Sequence, residues 1–185
     1  MNKNVKSLLI LLVALAVVLG GGYLAYSRFA KNAAPTELPT QADDGREALA
    51  AFTVYDASHG EVSYADWVGK PAVINFWASW CPPCCAELPD FQKAYEEYGE
   101  DVQFVMINLT DGERETEAVV QAFLEENGYT FPVYYDLRYH ASEAYNITSI
   151  PQTLFVDKNG YVYTAHVGML SESILNNAIN TLLRE

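Results

Sequence analysis

The chain has 185 residues, half of them hydrophobic and 13% aromatic, which suffices for one ordinary core and hardly for two. With 19% charged residues and 11 Gly and 8 Pro scattered along it, the sequence fits neither a disordered tail nor a collagen-like or coiled-coil rod. The net charge of −13 is uneven, because Lys3, Lys6, Arg28 and Lys31 precede every acid and leave 7 of the 11 basic residues against all 24 acidic ones; such a domain is repelled by phosphate backbones, so nucleic acid is not an expected partner.

Leu8–Tyr26 is an uncharged run of 19 residues rich in Leu, Val, Ile and Ala. As a helix it spans roughly 28 Å, close to the hydrocarbon thickness of a bilayer. The exit Tyr26-Ser27-Arg28-Phe29 lacks a small-residue cleavage pattern, so an uncleaved transmembrane anchor is expected over 8–26, with residues 1–7 on the cytoplasmic side. Residues 27–50 are rich in Ala, Pro and Thr without a sustained apolar period and read as a flexible tether, which places the folded domain at 51–185.

Within that domain, Phe52–Tyr55 and Glu61–Ser63 flank a Ser58-His59-Gly60 turn and predict an opening hairpin. Ala72–Trp77 is a nearly continuous apolar run, as in a strand buried on both faces. Leu88, Phe91, Ala94, Tyr95 and Tyr98 then repeat with helical spacing up to Gly99. Val102–Asn108 predicts a second buried strand, and Glu117–Glu126 a helix with Val119, Val120, Phe123 and Leu124 on one side and Asn127-Gly128 as its stop. Val133–Tyr135 is a short strand and Tyr139–Tyr145 a brief helix. Thr153–Val156 and Tyr161–Val167 bracket Asn159-Gly160, the signature of a two-residue type I′ hairpin. A last helix opens at Ser171 and carries Ile174, Leu175, Ala178, Ile179 and Leu182. The order predicts an α/β sandwich with a mixed central sheet and helices on both faces.

All three cysteines lie within Cys81–Cys85, too close together to staple distant parts of a fold. Trp80-Cys81-Pro82-Pro83-Cys84 follows a buried strand and opens a helix. At a helix N-terminus, unsatisfied N–H groups and the positive end of the macrodipole favour a thiolate, which makes Cys81 the nucleophile. Cys84, one turn further in and more shielded, is placed to resolve a mixed disulfide. Pro82 and Pro83 have no N–H to lose in the first turn and hold the spacing of the two sulfurs rigid. Half of a zinc site is the other reading of two such cysteines, but His59, His140 and His166 are scattered, so neither a metal nor another cofactor is expected.

The stretch Asn75-Phe-Trp-Ala-Ser-Trp-Cys-Pro-Pro-Cys-Cys-Ala-Glu-Leu-Pro89, with the apolar N-terminal segment and the Ser149-Ile150-Pro151 element, resembles the membrane-anchored thioredoxin-like proteins of the TlpA/ResA type. The resemblance covers residues 50–183. It implies a thioredoxin-like three-layer sandwich and a thiol-disulfide oxidoreductase held by a single span on the extracytoplasmic side of a bacterial membrane. It further implies protein substrates with disulfides or thiols, apocytochrome c among them, and recharging by a membrane electron carrier of the CcdA type. Pro151 is expected to be cis and to face the disulfide, with Trp80, Pro82, Pro83 and Ile150 as the substrate-binding rim. Classical thioredoxins carry a buried acid where this chain has Asn75. Glu87 matches the glutamate kept near the active site in this group and reads as a proton relay; a solvated helix glutamate is the alternative. Cys85 departs from the Lys or Arg usual there. It reads either as a small helix residue or as a third thiol that competes for Cys81 one turn away. Three other functions compete: a disulfide oxidant, a Sco-like copper-binding chaperone using Cys81 and Cys85, and a thiol peroxidase, which lacks its Thr because Ala78 stands three before Cys81.

Overall fold

The computed structural model describes residues 45–184; the expected anchor at 8–26 and the tether as far as residue 44 lie outside them. Among the described residues no helix is long and apolar enough to cross a membrane. In chain order the elements are β1 (Thr53–Tyr55), β2 (Glu61–Ser63), a 3-10 turn (Tyr64–Trp67), β3 (Ala72–Trp77), α1 (Pro82–Tyr98), β4 (Gln103–Asn108) and α2 (Glu117–Asn127). They continue with β5 (Val133–Tyr135), α3 (His140–Ala144), β6 (Gln152–Val156), β7 (Val162–Val167) and α4 (Glu172–Leu182). The seven strands form one sheet in the order β2-β1-β5-β4-β3-β6-β7. β3, β4 and β5 run parallel in the middle, and antiparallel pairs close both ends.

Strand alternation divides the apolar residues between two cores. Every residue of β3 is buried. Val73 and Trp77 face a core shared with Leu88 and Phe91 of α1, Val120 of α2 and Leu175 and Ile179 of α4, whereas Ala72, Ile74 and Phe76 face a second core with Phe52, Trp67 and Ala141. β4 splits in the same way, Phe104 and Met106 to one side and Val105 and Ile107 to the other. Asn75 therefore points to the side on which α1 lies, and it is fully buried there.

Two local readings are corrected by the structure. The β6–β7 turn is not type I′. Gly160 has φ of 84° while Asn159 is not left-handed, and Gly160 N–H bonds to Asp157 O at 3.0 Å, which describes a turn through Lys158 and Asn159 followed by a left-handed glycine. The apolar stripes of α2 and α4 are narrower than their spacing predicts, with Val119 44% and Ile174 49% exposed. Ser171 is the N-cap of α4, as its position predicts, although its side chain makes no capping bond. Residues 46–49, given to the tether by composition, run along the end of the last hairpin. Leu49 N–H donates to Gly160 O at 2.8 Å, Val162 N–H to Glu47 O at 2.8 Å, and Arg46 pairs with the buried Asp157 at 2.7 Å.

Burial rather than residue type sets the value of neighbouring side chains in α4. Leu175→Ala, which empties a fully buried position, is expected to cost about 2–5 kcal/mol in urea denaturation. Ile174→Ala, one residue earlier on the exposed side, is expected to stay within about 0.5 kcal/mol of the parent.

Candidate active site

α1 begins where β3 ends, and its N-cap is Cys81, with Pro82 and Pro83 in the first two helical positions. Neither proline has an N–H, so the first donor the helix can offer is that of Cys84, and it points to Cys81 Sγ at 3.3 Å. The Cys81 carbonyl accepts from Cys85 N–H at 3.0 Å and starts the helical ladder. Cys81 and Cys84 are joined as a disulfide with S–S 2.07 Å and Cα–Cα 5.3 Å. Cys81 keeps 4% of its surface exposed and Cys84 none, so an incoming sulfur meets Cys81 first.

The Ile150–Pro151 peptide is cis, as the resemblance implied. It leads into β6, the neighbour of β3, and this pairing brings the Ile150 carbonyl oxygen to 3.7 Å from Cys81 Sγ. Pro151 is buried and Ile150 half-buried; Pro82 and Pro83 are exposed beside the sulfur. Trp80 is 38% exposed, and the Arg114 guanidinium lies over its ring at 4.4 Å. The Ile150 carbonyl thus reaches the sulfur from one stretch of chain, and Trp80, Pro82 and Pro83 flank Cys81 along another.

Glu87 is buried to 1% exposure, and the solvated-glutamate alternative is not what the structure shows. Its Oε1 accepts from Asn75 Nδ2 at 2.9 Å and its Oε2 from the Leu170 backbone N–H at 2.7 Å. Asn75 Nδ2 also reaches Thr153 Oγ1 at 3.0 Å. Burial pushes the Glu87 carboxyl up from an ordinary 4.5 to about 7, against the pull of those two hydrogen bonds. Lying one turn after Cys84 in the same helix, it is a group able both to give and to take a proton near neutral pH.

Cys85 is free and half-buried. Its Sγ donates to Ser79 O at 3.1 Å, and burial holds the thiol above its ordinary range, with nearby Glu115 adding to the effect. It is therefore a neutral donor to the turn before Cys81, and the competing Cys81–Cys85 pairing is not formed. Among the described residues, no group of three or more His, Cys, Asp and Glu side chains is placed to hold a metal. Three contacts were not visible in the sequence: Leu170 N–H on Glu87, Arg114 over Trp80, and the fully buried Glu115, bonded to Ser79 and Asn108. They depend on the loop after β7 folding back on α1 and on the loop after β4 folding over the turn that precedes it. The polar run 111–116 between two apolar segments was the only hint.

A sheet with a parallel centre, a disulfide capping the helix that leaves it and a cis proline opposite the outer sulfur define a thioredoxin-like thiol-disulfide oxidoreductase. Residues 45–165 match the model of the AhpC/TSA family, to which the chain belongs. It is 30% identical to the thioredoxin-like protein YneN of Bacillus subtilis, over 86% of this chain and 88% of that one. To the thiol-disulfide oxidoreductase ResA of Halalkalibacterium halodurans it is 26% identical, over 100% and 99% of the two chains. The crystal structure of StoA from Bacillus subtilis superposes with a TM-score of 0.62 at 29% identity, over 70% of this chain and 96% of that one. The chain is a thiol-disulfide oxidoreductase of the ResA/StoA type with Cys81 and Cys84 as its sulfur pair.

The raised Glu87 carboxyl has a consequence for stability. Because its folded value of about 7 exceeds the ordinary 4.5, the folded state holds the proton more tightly; its contribution is complete below 4.5, falls as pH rises through about 7, and is flat above. Glu87→Gln is expected to abolish this slope, so that the urea midpoints of variant and parent diverge between about pH 5 and 7.5 and run parallel above it. A constant difference across that range is the contrary result.

Proposed function

We propose that the chain is a membrane-tethered reductase of protein disulfides on the extracytoplasmic side of a bacterial cell, with oxidised apocytochrome c as one substrate. The observation that carries this reading is the Cys81 sulfur at the N-terminus of α1, receiving the Cys84 N–H and facing Ile150 and Pro151. In the reduced state those surroundings favour a thiolate at Cys81. The thiolate attacks one sulfur of a substrate disulfide, forms a mixed disulfide and expels the other substrate sulfur as a thiolate. Cys84 then gives up its proton, for which Glu87 is the buried acceptor, and attacks Cys81 Sγ. The Cys81–Cys84 disulfide forms and the second substrate thiol leaves. Two electrons pass from the protein's dithiol to the substrate, and a membrane carrier of the CcdA type restores them. The apolar run at 8–26 supports the placement, and the alignment with ResA of Halalkalibacterium halodurans covers the whole chain, this segment included. An external compartment promotes disulfides, which gives a tethered reductant something to act upon.

The test uses the reduced full-length chain with an oxidised peptide carrying the haem-attachment pair Cys-x-x-Cys-His, followed by thiol release. Turnover is expected in the parent and none in Cys81→Ser, while Cys84→Ser is expected to stop at a covalent enzyme–peptide adduct. Full turnover by Cys81→Ser would overturn the reading, and a chain that oxidises the reduced peptide but never reduces the disulfide would reverse its direction.

A further inference from the structure

Glu115 takes no part in the chemistry above, yet it is a fully buried carboxylate bonded to the active-site turn. Its Oε1 accepts from Ser79 N–H at 2.6 Å and Asn108 Nδ2 at 2.7 Å, and its Oε2 from Ser79 Oγ at 2.6 Å. The loop that carries it is itself fastened: Asp111 Oδ1 accepts from both Glu113 N–H and Glu115 N–H at 2.8 Å, and Glu115 O accepts from Gly112 N–H at 3.1 Å. The remaining polar atom of Ser79, its carbonyl oxygen, is taken by Cys85 Sγ. Ser79 is thus held at every polar atom, two of them by one side chain. Two residues on, Cys81 N–H bonds to Ala78 O at 3.2 Å, so the turn 78–81 that presents the sulfur pivots on Ser79. Arg114, adjacent to Glu115, packs over Trp80 in the same turn.

We propose that Glu115 is a positioning residue for disulfide exchange, acting through Ser79 to hold Cys81 where the Cys84 N–H reaches its sulfur. Charge-assisted bonds to a desolvated carboxylate are short and direction-fixing, and exchange demands that fixity because an attacking sulfur must line up with the bond it breaks. The inference rests on the oxidoreductase reading only in taking Cys81 as the reacting sulfur. Glutamine at 115 separates geometry from charge. Its oxygen can keep the Ser79 N–H and Asn108 amide bonds, and its amide can donate to Ser79 Oγ, which also accepts. Alanine keeps neither.

The experiment follows carboxymethylation of Cys81 against pH in the reduced full-length chain, quantified on the Cys81 peptide by mass spectrometry, with insulin-disulfide turnover measured in parallel. In Glu115→Ala the alkylation midpoint is expected to move to higher pH and turnover to fall about tenfold, inside the roughly 100-fold that an ångström-scale misplacement costs. Glu115→Gln is expected to keep the parent's midpoint or lower it and to turn over within about twofold of the parent. A folded Glu115→Ala with the parent's profile and turnover overturns the proposal, as does a Glu115→Gln as impaired as the alanine variant. If circular dichroism shows Glu115→Ala unfolded, Ser79→Ala decides: it deletes only the hydroxyl bond, and an upward midpoint shift supports the proposal where an unchanged profile overturns it. A parent that alkylates at Cys81 yet never turns over insulin speaks against the enzymatic reading and leaves the alkylation comparison intact.

Discussion

The site depends on a single backbone N–H. By opening α1 with two prolines, the chain deletes the donors that would crowd its first turn and leaves that of Cys84 directed at Cys81 Sγ. The helix macrodipole is worth about 0.3–1 kcal/mol to a charge at its end, and up to ~2 in partly buried geometry, against about 1.4 kcal/mol for each tenfold change in ionisation. The dipole alone therefore accounts for roughly one pH unit of thiolate preference. A direct hydrogen bond to the charged sulfur is of the same order, about 1.5–3 kcal/mol. The two add, and both require Cys81 to occupy the N-cap, so the position of one residue at one helix end governs the reactivity.

Two buried carboxylates oppose that preference from different sides. Glu87 is in the helix one turn beyond Cys84, and Glu115 lies under the turn before Cys81. A negative charge on either disfavours a second one on sulfur, the more so where water is excluded. For Glu87 the conflict is relieved by protonation near neutrality, which lets the same burial that makes the carboxyl costly also make it a proton reservoir. Asn75 contributes by being neutral, since an acid at that point would set two carboxyls about one hydrogen bond apart and push the proton onto one of them. Cys85 stays a neutral donor to Ser79, and the cation that the structure sets against this turn is Arg114 on Trp80.

Much of this was legible because the decisive signals are local. The run Ala72–Trp77 could be read as a doubly buried strand since every position is apolar save one, and that exception, Asn75, is the residue bonded to Glu87. The cysteine spacing and the prolines placed the nucleophile at a helix start from a handful of adjacent letters. What stayed hidden was set by packing between distant segments. Glu87 and an ordinary surface glutamate are identical in sequence, and only the approach of Leu170, 83 residues later, dries the carboxyl. Val119 and Ile174 fit a helical stripe by spacing, but a stripe records which residues share a face and not how wide a surface the neighbours cover. The cis state of Pro151 came from resemblance, because nothing in Ser-Ile-Pro-Gln by itself distinguishes it from a trans proline entering a strand.

The same geometry separates disulfide exchange from the peroxide chemistry that an AhpC/TSA scaffold with a reactive cysteine also brings to mind. A peroxide must be held by donors while its O–O bond is cut, and the side chain three before Cys81 is the methyl of Ala78, with no hydroxyl to offer. The nearest fixed polar atom on the opposite wall is the Ile150 carbonyl, an acceptor. An acceptor beside sulfur does little for an oxygen that is gaining negative charge, but it suits a peptide, whose backbone brings N–H groups of its own. The resolving sulfur points to the same chemistry. Cys84 already lies in the first turn of the same helix, so a mixed disulfide at Cys81 is open to attack without any unfolding, and the bond that closes is the one the structure contains.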